Sequence, residues 1–369
     1  MKILSVVGTR PNFMKIAPLV EEFKKHKINH ILVHTGQHYD REMSKLFFDE
    51  LNLPKPNEHL IAPTNRNLEE QRSFLKDAIK PTIKRQKPNL VIVVGDVNST
   101  VAGAEAAHEL GIKVAHVEAG LRSFDMTMPE EINRIRTDKI SDFLFTTETS
   151  ANRNLLKEGI AKDKIFFVGN VMIDTLLNHT KKAKKSKILQ ELNLPKKGYC
   201  VLTLHRPSNV DNKKSFENIL LILERIGEKI KILFPLHPRT RKNLESLGLG
   251  KRIKSVQNLI LTSPLGYLDF LCLMDNSKFV LTDSGGIQEE TTVLGVPCIT
   301  LRNNTERPVT VEQGTNLLVS IDKKKVIQKC LELIDGKIRI RNKIPKLWDG
   351  KAAARIVKIL IKNIKKIRN

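Results

Sequence analysis

The chain has 369 residues, 40% of them hydrophobic and 28% charged, which suits two globular domains of roughly 170 to 190 residues and excludes a disordered or low-complexity polymer. Lys and Arg number 63 against 40 Asp and Glu, a formal charge of +23 that asks for an anionic partner. The basic residues are scattered, as in Lys181-Lys182-Ala183-Lys184-Lys185, without aromatic interleaving or a recognition motif, so they read as solvated faces and nucleic acid is not expected.

From the N-terminus, short β-branched runs alternate with amphipathic segments, the pattern of βαβ units and a parallel sheet. Strands are predicted over Ile3 to Val7, His30 to His34, Leu90 to Val94, Lys113 to Val117, Phe143 to Thr146 and Ile165 to Val168. Between the first two, Phe13, Ile16, Val20 and Phe23 recur three or four apart and mark one buried helix face. A further helix is predicted over Ser99 to Leu110, with Gly111 as its stop. A lysine-rich stretch from His179 to Lys197 precedes a second alternating block, and the domain junction is placed near residue 170. Strands follow over Tyr199 to Leu204, Lys231 to Phe234, Leu259 to Leu261, Phe279 to Thr282, Val296 to Leu301 and Leu317 to Val319. Ala353, Ile356, Val357, Leu360, Ile361, Ile364 and Ile367 then form one apolar stripe on a basic helix, which suits docking onto the protein more than a membrane surface.

No stretch approaches the ~20 apolar residues of a membrane span. Cys200, Cys272, Cys298 and Cys330 stand far apart in or beside apolar runs, without metal-ligand spacing; buried reduced thiols and a cytoplasmic location are expected.

Open α/β sheets bind ligands beyond the carboxyl ends of their strands. The first strand runs into Gly8-Thr9-Arg10-Pro11 and a helix carrying Lys15, a glycine turn and two cations suited to a phosphate. Later strand ends carry Gly95-Asp96 and His116-Val117-Glu118-Ala119-Gly120-Leu121-Arg122, followed by Pro129-Glu130-Glu131-Ile132-Asn133-Arg134. Glu130 and Glu131 could be first-turn helix carboxylates. As a group, carboxylates crowded into one cleft raise one another's proton affinity, which suits acid and base work. In the second block one strand ends at His205-Arg206, a histidine able to steady or protonate a leaving phosphate, and His237 is read as structural. Leu281-Thr282-Asp283-Ser284-Gly285-Gly286-Ile287-Gln288-Glu289-Glu290 is a strand turning through two glycines into a helix, whose amides and Ser284 hydroxyl can wrap a pyrophosphate. Glu290, about one turn in, can accept from both ribose hydroxyls. The loop from Arg302 to Pro308 brings Arg307 to the same edge.

In order and approximate spacing, GTRPNFMKIAP, TGQH, GD, HVEAGLR, PEEINR, LHRPSN, LTDSGGIQEE and RNNTERPV resemble the non-hydrolysing UDP-N-acetylglucosamine 2-epimerase family over nearly the whole chain. The resemblance implies a GT-B architecture: two Rossmann-like, doubly wound α/β domains with a cleft between them. They would span residues 1–170, carrying the carboxylates, and 171–350, binding UDP, with a helix over 351–369 packing back on the first. It implies interconversion of UDP-GlcNAc and UDP-ManNAc through 2-acetamidoglucal, without metal, NAD or other cofactor, by a homodimer. It assigns acid and base roles to Asp96, Glu118 and Glu130 and the diphosphate histidine to His205. Substrate contacts are Arg10 and Lys15, Phe270 beside uracil, and Ser284, Gly285, Gly286, Glu290 and Arg307 at the UDP. Two rivals are a hydrolysing epimerase and a GT-B glycosyltransferase; a noncatalytic nucleotide-sugar or nucleic-acid binding protein is a third. Relatives activated by substrate commonly read QHREM, whereas Gln37-His38-Tyr39-Asp40-Arg41-Glu42-Met43 has two residues interposed, so allosteric activation is not carried over.

Overall fold

A computed structural model describes residues 1–37, 41–63 and 67–367; the His38-Tyr39-Asp40 part of the segment just named lies outside them. The chain forms two compact units, one of Met1–Asn178 with the segment from Lys346 onward, the other of His179–Pro345.

The first unit is built on parallel strands β1 (Lys2–Val7), β2 (Asn29–His34), β3 (Glu58–His59), β4 (Leu90–Val94), β5 (Lys113–Ala119), β6 (Phe143–Thr146) and β7 (Ile165–Phe167), in the order β3-β2-β1-β4-β5-β6-β7. All five residues of β4, LVIVV, are buried, the continuous apolar run of a strand covered on both faces. β3 is absent from the sequence reading because its two residues, Glu58 and His59, carry no apolar run. β5 runs beyond the expected Val117 to Ala119, with its register to β6 shifting between Val117 and Ala119.

The Arg10–Lys25 helix buries Phe13, Ile16, Val20 and Phe23, the face its spacing predicted, and packs on the Ala352–Ile367 helix. That second helix buries Ala353, Ile356, Val357 and Leu360, each large side chain contributing about 1.5 to 3 kcal/mol. Its start is capped by Asp174, which accepts from the Ala352 and Ala353 amides at 3.1 and 2.7 Å. Just before it, the buried Trp348 indole donates to the Thr147 carbonyl at 3.0 Å.

The second unit repeats the plan with β8 (Tyr199–Thr203), β9 (Lys231–Pro235), β10 (Leu259–Thr262), β11 (Phe279–Thr282), β12 (Cys298–Leu301) and β13 (Asn316–Val319), in the order β10-β9-β8-β11-β12-β13. Its core joins Phe216, Ile219, Leu220 and Leu223 of the Lys213–Gly227 helix to Leu202, Phe234 and Leu281 of the sheet. The four cysteines are buried free thiols. No described helix is long and apolar enough to cross a membrane.

In each sheet the chain runs outward from a central pair, β1 with β4 and β8 with β11. Connections leave these neighbours in opposite directions, which opens a crevice at their carboxyl ends. Arg10, Asp96, His205 and Ser284 follow these four strands.

Candidate active site

In the first unit the turn after β1 is set by Asn12, whose side-chain oxygen accepts from the Gly8 and Thr9 amides, both at 3.1 Å. Its side-chain amide reaches across to the Val94 carbonyl at 2.9 Å and so ties this turn to the tip of β4. A side chain at Gly8 would overlap the Ser99 hydroxyl. Arg10, at the start of the helix, stands 6.0 Å over the Phe47 ring.

Lys15, one turn further along, is buried and pairs with Glu118 at 2.8 Å. Glu118 is the displaced residue of the β5 bulge and has φ +76°, a left-handed conformation that costs a residue with a Cβ of order 1 to 3 kcal/mol. Gly95 at the tip of β4 has φ +72°, and a Cβ there would stand 2.7 Å from the Lys15 ammonium, so glycine makes room for the ion pair.

Asp96 follows Gly95 and pairs with Arg134 at 2.5 Å; Asn133 donates to the Asp96 carbonyl at 3.0 Å. Arg134 is itself buried and also pairs with Glu131 at 2.5 Å. Glu131 accepts from the Ser123 and Phe124 amides at 2.9 and 3.0 Å, which closes the loop between β5 and the Pro129–Ile140 helix. Burial alone would raise the Glu131 carboxyl, but these amides and Arg134 outweigh it and hold it below the ordinary range. This carboxylate therefore does not take part in the mutual raising expected of the four; it is a structural clamp. Glu130 is half-buried on the first turn of the same helix, and its side chain makes no hydrogen bond or ion pair with the described residues.

In the second unit His205 stands at the tip of β8 with its Nδ1 3.0 Å from Asp283 at the tip of β11. Asp283 is fully buried and accepts the His205 and Arg206 amides at 3.0 and 2.9 Å and the Asn209 side-chain amide at 2.9 Å. Burial would push its carboxyl up, yet His205 and these amides hold it below the ordinary range. A carboxylate on Nδ1 requires the proton there, leaving Nε2 for a ligand; the His205 side chain is 42% exposed, so that edge is reachable. His237 caps the Pro238–Ser246 helix, its Nδ1 accepting the Arg239 amide at 3.3 Å, the structural role expected of it.

Ser284 is the N-cap residue of the Gly285–Leu294 helix, but its hydroxyl makes no cap bond, and Ser284, Gly285 and Gly286 are all partly exposed. First-turn amides of a helix have no partner within it, and donors so placed suit an anion. A Cβ at Gly285 would lie 2.5 Å from Arg307 Nη1 and 2.7 Å from Glu306 Oε1. Arg307 is buried and fixed by Glu289 at 2.7 Å and by Glu306. Glu306 also pairs with Arg302 at 2.7 Å. Deeper in the helix, the fully buried Glu290 accepts from the Tyr267 hydroxyl at 3.0 Å, and burial pushes its carboxyl up to about 8. Phe270 is half-buried on the Tyr267–Asn276 helix.

Lys15 and Glu118 are thus in contact and Asp96 adjoins the glycine against which Lys15 rests, while Arg10 and Glu130 each lie on the first turn of their own helix. Asp283 and Arg134 lie inside the LTDSGGIQEE and PEEINR motifs, and Tyr267 lies three residues before Phe270, yet nothing in the sequence marks their side-chain partners. For Asp283 the sequence signal is an acid at a strand tip, as for Asp96; its pairing with His205 follows only from the adjacency of β8 and β11. Among the described residues no three His, Cys, Asp or Glu side chains are grouped as a metal site.

Two doubly wound sheets, strand-tip carboxylates and a glycine-led helix start define an α/β protein of the GT-B-like class. The chain belongs to the UDP-N-acetylglucosamine 2-epimerase family, whose model matches residues 21–361. It is 51% identical over 89% of its length to a UDP-N-acetylglucosamine 2-epimerase homolog of Methanococcus maripaludis, covering 91% of that protein. It is 45% identical over 98% of its length to the UDP-N-acetylglucosamine 2-epimerase of Methanocaldococcus jannaschii, covering 99% of that protein. The crystal structure of the M. jannaschii UDP-GlcNAc 2-epimerase in complex with UDP-GlcNAc and UDP superposes with a TM-score of 0.91 at 44% identity, covering 98% of this chain and 100% of that one.

Proposed function

We propose that this protein is a non-hydrolysing UDP-GlcNAc 2-epimerase that interconverts UDP-GlcNAc and UDP-ManNAc. The observation that carries the reading is Glu118, a carboxylate held on a strained bulge against a buried lysine in a chain that matches, end to end, a relative crystallised with UDP-GlcNAc and UDP. Strain of this kind persists where the surrounding structure imposes it, and it clusters at active sites.

In this reading the seat at Ser284, Gly285 and Gly286, with Arg307 behind it, takes the diphosphate, Glu290 takes the ribose and Phe270 lies beside the uracil. His205, fixed by Asp283, offers Nε2 to the diphosphate. Arg10 and Lys15 add positive charge on the sugar side. The C2 proton has no neighbouring carbonyl, so it leaves by elimination. A carboxylate among Asp96, Glu118 and Glu130 takes it, the electron pair forms the C1–C2 double bond, and the C1–O bond breaks with its electrons going to UDP. Re-addition of UDP to 2-acetamidoglucal, with the proton delivered from the opposite face, gives the C2 epimer. Nothing in these steps consumes a cofactor. The reading extends to a cytoplasmic homodimer, for which four buried free thiols suit a reducing compartment.

The test is turnover of UDP-GlcNAc in D2O followed by proton NMR. Deuterium at C2 of UDP-ManNAc is expected, without added NAD and with activity surviving EDTA. Product carrying only protium at C2 would overturn the mechanism, and release of free ManNAc would mark a hydrolysing enzyme instead.

A further inference from the structure

The backbone carrying Asp96 and Glu118 is left-handed at three places, Gly95 at φ +72°, Glu118 at +76° and Gly120 at +77°. One buried anion holds this stretch. Asp138, on the third turn of the Pro129–Ile140 helix, accepts from the Gly120 amide through Oδ2 at 3.1 Å. Its Oδ1 lies 2.6 Å from Nδ1 of His116, whose Nε2 lies 2.8 Å from the Gly95 carbonyl oxygen. Both ring nitrogens of His116 thus face oxygens that accept, one a carboxylate and the other a backbone carbonyl. Arg122 supplies a counter-charge to Asp138 at 2.7 Å and forks onto Glu158 at 2.8 and 2.7 Å. His116, Asp138 and Arg122 are all buried.

Such a chain of charges is a costly way to fasten a helix to a sheet, since apolar packing does so at least as well. Its ends, however, are backbone atoms flanking the two carboxylates: the Gly95 carbonyl precedes Asp96, and the Gly120 amide follows Glu118 by two residues. We propose that Asp138 and His116 are positioning residues for the reaction, fixing the tips of β4 and β5 to one another so that Asp96 and Glu118 are held at a set separation. The proposal rests on the reading in which those carboxylates handle the C2 proton.

Asp138→Ala removes the acceptor of the Gly120 amide and the anchor of the His116 ring that reaches Gly95, and a displacement of about 1 Å at the carboxylates lowers kcat about 100-fold. The dissociation constant for UDP, whose seat belongs to the other unit, stays within about twofold of the parent. Asp138→Asn keeps an oxygen for the Gly120 amide and an N–H for Nδ1 of a neutral His116, whose Nε2–H still reaches Gly95, so it returns kcat to within about tenfold. The fraction of 2-acetamidoglucal released per turnover rises in the Ala variant, because a displaced acid returns the proton slowly. Rates are expressed per UDP-binding site, counted by calorimetry. An Ala variant that is merely less stable, with parental kcat per binding site and parental glucal release, would overturn the proposal. If it does not fold, His116→Gln serves in its place, with kcat lowered about tenfold or more at unchanged UDP affinity expected and parental kcat contradicting it. Glu118→Gln is the control: parental turnover there would remove the underlying reading and the proposal with it.

Discussion

Asp283 Oδ1 lies 3.0 Å from His205 Nδ1, and the same carboxylate binds the main-chain amides of His205 and Arg206, so one buried anion fixes both the ring and the loop that carries it. The two residues are 78 apart in sequence and meet because β8 and β11 are neighbours at the reversal of strand order.

Asp283→Asn turns an acceptor into a donor facing Nδ1, which moves the ring proton to Nε2. Turnover should fall about 100-fold while UDP still binds within a few-fold of the parent. NMR progress curves and calorimetry measure the two quantities, and equal losses in both would show that His205 acts only in binding.

Glu290 gives the clearest pH dependence. Its carboxyl, pushed from 4.5 up to about 8 by burial, is raised in the folded state, so its contribution to stability is fully present below pH 4.5 and is lost as pH rises through about 8. Over that window the loss is of order several kcal/mol. Glu290→Gln should remove this part of the slope in urea unfolding followed from pH 5 to 9. Ribose hydroxyls donating to Glu290 favour its charged form, so UDP binding near pH 7 should release a proton. Calorimetry in two buffers of different ionisation enthalpy measures that release, and Glu290→Gln should abolish it.

Much of this was legible in the sequence, and what was not has physical causes. The central strands are buried on both faces, so their β-branched runs stand out without alternation, as in Leu90–Val94. The strand-tip rule then located Asp96, Glu118, His205 and the Ser284 turn. What a sequence does not carry is pairing across the sheet. Asp283 sits inside its motif without a mark of its own, since only adjacency of β8 and β11 gives it His205 as a partner. Glu131 and Glu130 are adjacent and chemically alike, but only Glu131 faces the Ser123 and Phe124 amides. The bulge at Glu118 was invisible as well, because Val117, Glu118 and Ala119 read as an ordinary strand end.

Gly285→Ala tests the anion seat. A methyl group there would stand 2.5 Å from Arg307 Nη1, and Arg307 cannot yield freely because Glu289 and Glu306 hold it. UDP affinity should fall about tenfold or more, with uridine affected less because it lacks the diphosphate. Isothermal calorimetry with both ligands separates these cases; equal losses would mean that the glycine serves the fold and not the anion.

The Lys15 and Glu118 pair separates stability from chemistry. Both side chains are buried and 2.8 Å apart, so removing one charge takes away the other's buried counter-charge. Lys15→Met should destabilise the protein by about 3 to 5 kcal/mol, because Glu118 is left charged in a buried site. Glu118→Gln should cost less, since the amide oxygen still accepts from the ammonium. The double variant Lys15→Met with Glu118→Gln removes both charges and should recover much of the loss, giving a coupling energy of about 1 to 3 kcal/mol in a double-mutant cycle read by urea unfolding. Activity should not follow stability. Any variant lacking the Glu118 carboxylate loses one of the proposed proton carriers, so the double variant should be well folded, should bind UDP, and should show little deuterium incorporation at C2. Recovery of turnover together with stability would mean that the pair braces the fold and that the proton is handled elsewhere.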